Sequence, residues 1–288
     1  MYFTAGAYSD AGLFKSVNQD SVCILQGEYP MHKKFLNENR RGHVIMAMVC
    51  DGMGGEDRGE IASKAGIEMF RKWFTEKLPG HLKKYVETGN KSDDILKTLS
   101  ADFELMIKRL NRDMCRYGEE KGIRLGTTLS VIVIFDDGRY VLAHTGDTRI
   151  YRVDRQNKSV SQITIDQSLV ADEVRNGIIT KEQALKDSRR NILTECIGIS
   201  DSVSPIISRG KVGKWESVLI CSDGFYHEIS ESEIGEKLSG RYEDKDEIKG
   251  ALKDMIRVCK SRGENDNISA LLITCRGSNR RDLWQARK

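Results

Sequence analysis

The sequence predicts an α+β fold with antiparallel sheets. Short apolar segments occur in groups along the 288 residues, and helical patterns form groups of their own instead of alternating strictly with the strands. Asp137-Gly138 lies between two of the apolar segments, and this dipeptide is typical of a tight hairpin turn. The two strands that it joins are therefore expected to be antiparallel.

Six segments predict strands because each is short and apolar and most are rich in β-branched side chains. None of them approaches the roughly 20 apolar residues that are needed to span a bilayer, so no membrane segment is expected. The predicted strands are residues 44–50, 128–135, 140–144, 149–153, 217–221 and 268–274.

Helices are predicted where apolar residues recur every three or four positions. One covers about residues 57–78, a second follows Ser92 as its N-cap, and a last long helix ends at Gly263. Capping boxes, in which Ser or Thr precedes Glu or Gln by three positions, predict helix starts at 180–183 and 230–233. The apolar stripes are Ile61, Ala65, Met69 and Trp73 in the first helix, Ile95, Leu99, Phe103, Met106, Leu110 and Met114 in the second, and Ile248, Leu252, Met255, Ile256 and Cys259 in the last.

The composition excludes several classes of protein. Lys and Arg number 46 against 43 Asp and Glu, a balance too even for a dedicated nucleic-acid binder, which needs a basic excess. Seven unpatterned cysteines and the lack of an export signal predict reduced thiols and a cytoplasmic protein. No repeat or linker divides the chain, so we expect one domain and a basic C-terminal tail at residues 276–288.

Four acidic residues stand at the ends of predicted strands. Carboxylates at strand ends can converge on one rim of a sheet, where they repel one another unless cations neutralise them. Oxygen ligands of this kind suit Mg²⁺ or Mn²⁺, and Gly52 lets the backbone bend and offer its own carbonyl. Spacing alone leaves open that each acid only forms a turn, as Asp137 is expected to do. The four acids are Asp51, Asp147, Asp223 and Asp266.

Short motifs around these acids occur in one order along the chain. They are Asn18-Gln19-Asp20, Val49-Cys50-Asp51-Gly52-Met53-Gly54-Gly55, Gly126-Thr127-Thr128, Gly146-Asp147-Thr148-Arg149, Ser222-Asp223-Gly224 and Asn265-Asp266-Asn267. In this order and at these intervals they resemble the metal-dependent protein phosphatase family (PPM, the type 2C serine/threonine phosphatases), most of all its compact bacterial members. The resemblance covers about residues 3–275 and implies a PPM-type domain at 1–275. It also implies a four-layer sandwich of two antiparallel β-sheets flanked by helices.

The resemblance assigns metal ligands position by position. Asp51 resembles the carboxylate that bridges two catalytic ions, Mn²⁺ or Mg²⁺, and Gly52 supplies a backbone carbonyl. Asp223 and Asp266 resemble the remaining ligands of one of these ions. Asp147 matches an acid that, together with Asp223, holds a third and weaker ion in bacterial members.

The resemblance also assigns two catalytic residues and a flap. Asp20 resembles an acid that orders metal-bound water, and Lys15 stands where relatives usually have an Arg that contacts the substrate phosphate. The segment 166–200 resembles the flap beside the bacterial site, with Gln167 where His often stands. Met53 replaces a His of eukaryotic members, which leaves the proton donor for the leaving group unassigned. The motif at Gly126-Thr127-Thr128 is expected only to start a central strand.

The implied function is hydrolysis of phosphoserine and phosphothreonine in proteins by direct attack of a hydroxide held between the two bridged ions. The implied substrates are targets of a cognate protein kinase. The enzyme is expected to be a monomer that binds neither nucleic acid nor membrane. The alternative is a catalytically silent phosphoprotein-binding module of the same fold, and the complete set of acids argues against it.

The sequence supports two other catalytic chemistries, a cysteine phosphatase and a zinc enzyme, less well than the metal-dependent phosphatase. Cys275 and Arg281 fit the Cys-x5-Arg spacing of a cysteine phosphatase, but Thr274 stands where His usually precedes the cysteine. Too few residues follow Arg281 to form the helix whose N-terminus would lower the pKa of the thiol. A zinc enzyme is disfavoured because the five histidines show no paired spacing and no Cys-x-x-Cys occurs.

Overall fold

The computed structural model describes residues 1–31, 40–55, 58–87 and 92–276. In these residues two five-stranded antiparallel sheets stack face to face, and helices pack on both outer faces. The layers run helices, sheet, sheet, helices. The predicted α+β sandwich is therefore confirmed.

The first sheet has the strand order β1-β12-β11-β8-β9, the second has the order β10-β7-β6-β3-β2, and β4 pairs with β5 alone. The strands are β1 (Tyr2–Asp10), β2 (Ser21–Met31), β3 (Arg40–Cys50), β4 (Gly52–Met53), β5 (Gly126–Thr127), β6 (Leu129–Phe135), β7 (Arg139–Thr145), β8 (Arg149–Asp154), β9 (Ser159–Gln162), β10 (Ile206–Lys211), β11 (Glu216–Cys221) and β12 (Ile268–Arg276). The helices are α1 (Arg58–Glu76), α2 (Leu78–Glu87), α3 (Ser92–Lys121), α4 (Leu169–Arg175), α5 (Lys181–Lys186), α6 (Asp223–Tyr226), α7 (Glu231–Leu238) and α8 (Lys245–Ser261).

Strand β3 shows why its sheet is covered on both faces. Successive side chains of a strand point to opposite faces, so an apolar run without polar alternation needs two apolar surroundings. Ile45, Ala47 and Val49 lie in the core between the two sheets, whereas Met46 and Met48 lie in the core beneath the helices. The continuous apolar run of β3 is thus the signature of a central strand.

Helices α1, α2 and α3 share one core with the second sheet, and α7 and α8 share another with the first. Aromatic packing joins α1 to α3, because Phe103 makes edge contacts with Phe70 and Trp73 at centroid distances of 5.3 and 5.0 Å. The indole N–H of Trp73 also donates to Asp102 Oδ2 at 2.6 Å. These contacts join the C-terminal half of α1 to α3.

Most of the predicted elements are confirmed. The six predicted strands are β3, β6, β7, β8, β11 and β12. The hairpin turn is present between β6 and β7, where Gly138 has a φ of +85° and its N–H donates to the Phe135 carbonyl at 2.8 Å. Both capping boxes form, at Thr180 and Ser230. Helix α3 spans the second apolar stripe, but the side chain of its predicted N-cap, Ser92, lies outside the described residues.

Strands β1, β2, β9 and β10 were not predicted, and all four are the edge strands of their sheets. An edge strand is covered less completely than a central one, so it carries more polar residues. Strand β9, for example, reads Ser-Val-Ser-Gln, with partly buried and exposed residues in alternation. Among these four strands only β2 contains an apolar run of four residues, Val22-Cys23-Ile24-Leu25.

Strand β12 ends at Arg276, and the rest of the predicted tail lies outside the described residues. No helix among the described residues is long and apolar enough to cross a membrane.

Candidate active site

Asp51 directly follows β3, and its backbone is fixed by the residues that precede β6. The N–H of Asp51 donates to Thr128 Oγ1 at 3.0 Å. Its carbonyl accepts from the Thr128 N–H at 2.8 Å and from Thr127 Oγ1 at 2.9 Å. Thr127 and Thr128 therefore position Asp51, a role that the sequence did not reveal.

Gly52 and Gly59 make the closest backbone approach of the site. A Cβ on Gly52 would lie 2.0 Å from the carbonyl oxygen of Gly59, and a Cβ on Gly59 would lie 2.5 Å from the carbonyl oxygen of Gly52. Only residues without a side chain allow the first turn of α1 to approach β4 this closely. The packing of α1 thereby fixes the peptide that follows Asp51.

Asp223 opens α6, two residues after the end of β11, and is connected to Asp20 through Ser222. The hydroxyl of Ser222 donates to Asp20 Oδ2 at 2.9 Å and accepts from the Ser269 N–H at 3.0 Å. The other oxygen of Asp20, Oδ1, is buried and has no hydrogen-bond partner among the described residues. Ser222 therefore joins the segment before β2 to the C-terminal end of β11 and to the start of β12.

Asp266 lies just before β12 in a turn tied by Glu264, whose Oε1 accepts the Asp266 N–H at 2.9 Å. The Lys15 ammonium donates a hydrogen bond to Asp266 Oδ1. Burial lowers the pKa of Lys15, but the hydrogen bond and charge of Asp266, together with the charges of Asp51 and Asp223, raise it above its usual value overall. The structure thus brings Lys15 to the acids, as a cation beside three of the predicted ligands.

Asp147 lies in the turn between β7 and β8 and is 6% exposed. Gln167 holds this turn, because its Oε1 accepts the Gly146 N–H at 3.0 Å and its own N–H donates to the Gly146 carbonyl at 2.8 Å. The side-chain amide of Gln167 also donates to the Ser204 carbonyl at 3.0 Å. Gln167 therefore has a structural role here, which the sequence did not predict.

A partly buried ion pair connects Arg149, at the start of β8, to Asp166, at the start of segment 166–200. Arg149 donates to Asp166 Oδ2 through Nη2 at 2.6 Å and through Nε at 2.9 Å. Its guanidinium carbon lies 3.6 Å from the centroid of the Tyr226 ring. Two hydrogen bonds and a stacked ring fix Arg149 tightly, so the beginning of segment 166–200 is anchored beside Asp147.

The buried acids repel one another. Burial, and after it the charges of Asp20, Asp223, Asp147 and Asp266, raise the pKa of Asp51 well above its usual value. Burial and the charges of Asp147, Asp266 and Asp20 do the same to the pKa of Asp223. Burial is also the main cause that raises the pKa of Asp147 to about 7 and that of Asp20 to about 6. Ionising the whole cluster near neutral pH is therefore unfavourable unless cations neutralise it.

Residues 32–273 match the sequence profile of the family described as protein phosphatase 2C. This chain belongs to the protein phosphatase 2C family. The serine/threonine phosphatase stp of Listeria monocytogenes is 30% identical over 250 residues, which are 86% of this chain and 88% of that protein. The protein phosphatase PhpP of Streptococcus pneumoniae is 26% identical over 268 residues, 92% of this chain and 95% of that protein. The predicted family and the predicted activity, serine/threonine protein phosphatase, are confirmed.

Solved structures of phosphatases share the fold of this 2C-type chain. The S. agalactiae serine/threonine phosphatase matches with a TM-score of 0.73 and 25% identity, covering 95% of this chain and 100% of that one. The catalytic domain of the phosphatase PstP in complex with 2 manganese ions matches in fold with a TM-score of 0.70 and 23% identity, covering 96% of this chain and 99% of that one.

The acids of this type 2C phosphatase suit divalent cations by their chemistry. They offer carboxylate oxygens, those of Asp20, Asp147 and Asp223 being buried, and cations would relieve their repulsion. One of these oxygens, Asp20 Oδ1, has no hydrogen-bond partner among the described residues. Over the described parts of the chain, no three His, Cys, Asp or Glu side chains are arranged to enclose an ion. Asp266 is paired with Lys15. The individual ligand roles therefore stay predictions.

Among the described residues of this phosphatase, the side chains of the other candidate chemistries are not arranged for catalysis. Cys275 is fully buried in β12, and burial raises the pKa of its thiol to about 11, so it does not form a thiolate near neutral pH. Arg281 lies outside the described residues. His144 is buried in β7, where it bonds to Ser130 Oγ at 2.8 Å and burial lowers its pKa to about 4. It is a packed strand residue, as the sequence predicts.

Proposed function

We propose that Asp51, Gly52, Asp223 and Asp266 hold two catalytic Mn²⁺ or Mg²⁺ ions, with Asp51 shared between them. Asp147, together with Asp223, holds a third and weaker ion. The observation that carries this proposal is the burial of mutually repelling carboxylates at neighbouring strand ends, because their ionised forms need cations nearby. The manganese complex of PstP, which has the same fold, supports it.

When bound, such ions supply a water activated for attack on phosphorus and neutralise charge on the phosphoryl oxygens. The other roles belong to side chains of this protein. Asp20, with Oδ2 held by Ser222 and Oδ1 without a partner among the described residues, is placed to accept a hydrogen bond from the attacking water. Lys15 is placed to donate to a phosphate oxygen when Asp266 turns to a cation. Met53 cannot transfer a proton, so no side chain is assigned as the general acid.

The proposed substrates are phosphoserine and phosphothreonine sites that a cognate protein kinase creates, and the enzyme is proposed to act in the cytoplasm as a monomer. Residues 1–275 are proposed as the catalytic domain and residues 166–200 as its flap. The segment is anchored at its start, at Asp166 and Gln167, and near its end, where Ile197 pairs with β5, so the part between these anchors is proposed to move.

Removal of metal tests the proposal. Hydrolysis of a phosphothreonine peptide is expected to stop in EDTA and to return when Mn²⁺ or Mg²⁺ is added in excess. Calorimetric titration of the metal-free protein with Mn²⁺ is expected to show two tight sites and one weaker site. A protein that binds the phosphopeptide but releases no phosphate at any metal concentration would instead be the silent binding module.

Lys15 is expected to contribute to binding of the phosphate. Lys15→Ala is expected to raise KM clearly for a small phosphoester, since a hydrogen bond to a charged group contributes about 1.5–3 kcal/mol. Lys15→Arg is expected to lower KM by a few-fold or leave it level, because a guanidinium binds phosphate through two parallel hydrogen bonds. Steady-state kinetics at low salt, where electrostatic contacts are strongest, measures both changes.

The matched control for this test is Lys97→Ala, which removes an exposed lysine from α3 and is expected to leave KM unchanged. If Lys15→Ala keeps the parental kcat/KM at low salt, Lys15 serves only as a partner of Asp266.

A further inference from the structure

The turn after β1, which runs from Ala11 to Val17, is held firmly beside the acids. The side-chain amide of Asn267 donates to the Ala11 carbonyl at 2.9 Å and to the Val17 carbonyl at 3.1 Å. Asn267 is buried, so one amide closes the turn at both of its ends. Gly12 has a φ of +83°, and a Cβ there would lie 2.3 Å from the Asp266 carbonyl oxygen. The position of this turn relative to the acids is therefore fixed.

The tip of this turn carries two neighbouring apolar side chains. Leu13 is 49% exposed and Phe14 is 74% exposed, the highest value for a large apolar residue in the described part of the chain. The next residue is Lys15, whose ammonium contacts Asp266. The apolar pair is therefore adjacent in sequence to Lys15, the residue whose ammonium is the proposed phosphate-binding group.

We propose that Leu13 and Phe14 form a recognition surface for an apolar side chain next to the phosphorylated residue of the substrate. This inference rests on the proposed function, because Lys15 and the acids define where the phosphate lies. An extended peptide advances about 3.3–3.6 Å per residue, so the side chains one or two positions from the phosphoresidue are the ones near enough to contact residues next to Lys15. The substrates are phosphoproteins with Leu, Ile, Val, Met or Phe beside phosphoserine or phosphothreonine.

Because the turn is firmly attached, a contact of Leu13 and Phe14 with the substrate is expected to increase the affinity for the peptide. A surface that is already ordered loses little conformational freedom when a ligand binds, so burial of apolar area contributes directly to affinity. Two side chains are also too small an area for a stable interface between folded proteins, which buries about 800 Å² on each partner. A short peptide segment held mainly by its phosphate is the occupant that fits.

Two pairs of phosphothreonine peptides test the inference with the Mn²⁺-loaded enzyme. Within each pair, the residue directly before or directly after phosphothreonine is Leu in one peptide and Ser in the other. The parent is expected to prefer the Leu peptide by about fivefold in kcat/KM in at least one pair, which corresponds to partial burial of one side chain. In Phe14→Ser, and in the double variant with Leu13→Ser, this ratio is expected to fall to about one.

Leu105→Ser is the matched control, because Leu105 is 67% exposed on α3 and its loss is expected to keep the parental preference. Equal kcat/KM for both members of both pairs in the parent would overturn the inference while leaving the phosphatase assignment intact. A preference that survives in the double variant would overturn it as well. If the parent hydrolyses no peptide with Mn²⁺ present, the proposed function fails and the inference falls with it.

Discussion

Asp51→Asn is expected to lower kcat by several orders of magnitude while the protein stays folded. The substitution keeps the shape of the side chain and removes the one charge that both proposed cations share. Thr127 and Thr128 bond only to the backbone of Asp51, so the hydrogen bonds that position residue 51 survive the change. Steady-state hydrolysis of a phosphothreonine peptide, with Mn²⁺ titrated to saturation, measures the loss.

The melting temperature in EDTA separates lost chemistry from lost structure. The pKa of Asp51 is raised in the folded protein above the value of about 3.9 expected when it is unfolded, so its ionisation favours unfolding as pH rises. Metal-free Asp51→Asn is therefore expected to melt at a higher temperature than the parent at pH 8, with a difference that narrows toward pH 4.

The matched control for Asp51→Asn is Asp137→Asn, which changes the other Asp-Gly pair, in the hairpin between β6 and β7, and is expected to keep parental activity. Undiminished turnover by Asp51→Asn would rule out the proposed metal centre.

Gly59→Ala is expected to reduce both stability and activity strongly. The new methyl group would lie 2.5 Å from the Gly52 carbonyl oxygen and 2.8 Å from the Met53 nitrogen, so α1 and β4 must separate. Overpacking of this kind typically lowers the free energy of unfolding by about 1–3 kcal/mol. Because the peptide after Asp51 moves with β4, kcat is expected to fall more than the loss of stability alone explains. Denaturant unfolding and peptide hydrolysis measure the two effects.

Gly250→Ala is the matched control. Gly250 is an exposed glycine within α8, and a Cβ there meets nothing within 4 Å. Alanine at such a position is expected to stabilise the protein by about 0.5–1 kcal/mol through helix propensity, with unchanged activity. If Gly59→Ala behaves like Gly250→Ala, the close approach of α1 to β4 is not needed for the site.

The sequence determined the strands that matter most for the core. Strands β3, β6, β7, β8, β11 and β12 are central or second in their sheets. All of them except β8, whose Arg152 is partly exposed, are buried on both faces, which requires the apolar runs by which they were predicted. The edge strands β1, β9 and β10 are covered incompletely and their sequences do not carry that pattern, whereas β2 carries only the short run Val22-Cys23-Ile24-Leu25.

The predicted stripes of α3 and α8 lie in the cores between these helices and the sheets. The stripe predicted for α1 was wrong at Ile61, which is 46% exposed. The buried face of α1 includes Ala62, Gly66, Phe70, Trp73 and Phe74, and of these only Trp73 belongs to the predicted stripe.

The sequence by itself also determined the family, the activity and the acids that follow the central strands, because residue types and order carry that information. Only the tertiary structure decided which distant groups hold those acids in place. Lys15 meets Asp266, Thr128 fixes Asp51, Gln167 clamps the turn before Asp147, and Asn267 closes the turn after β1. The physical reason is that each contact joins residues 21 to 256 positions apart. Such hydrogen bonds depend on the packing of whole layers, which no local pattern of polarity specifies.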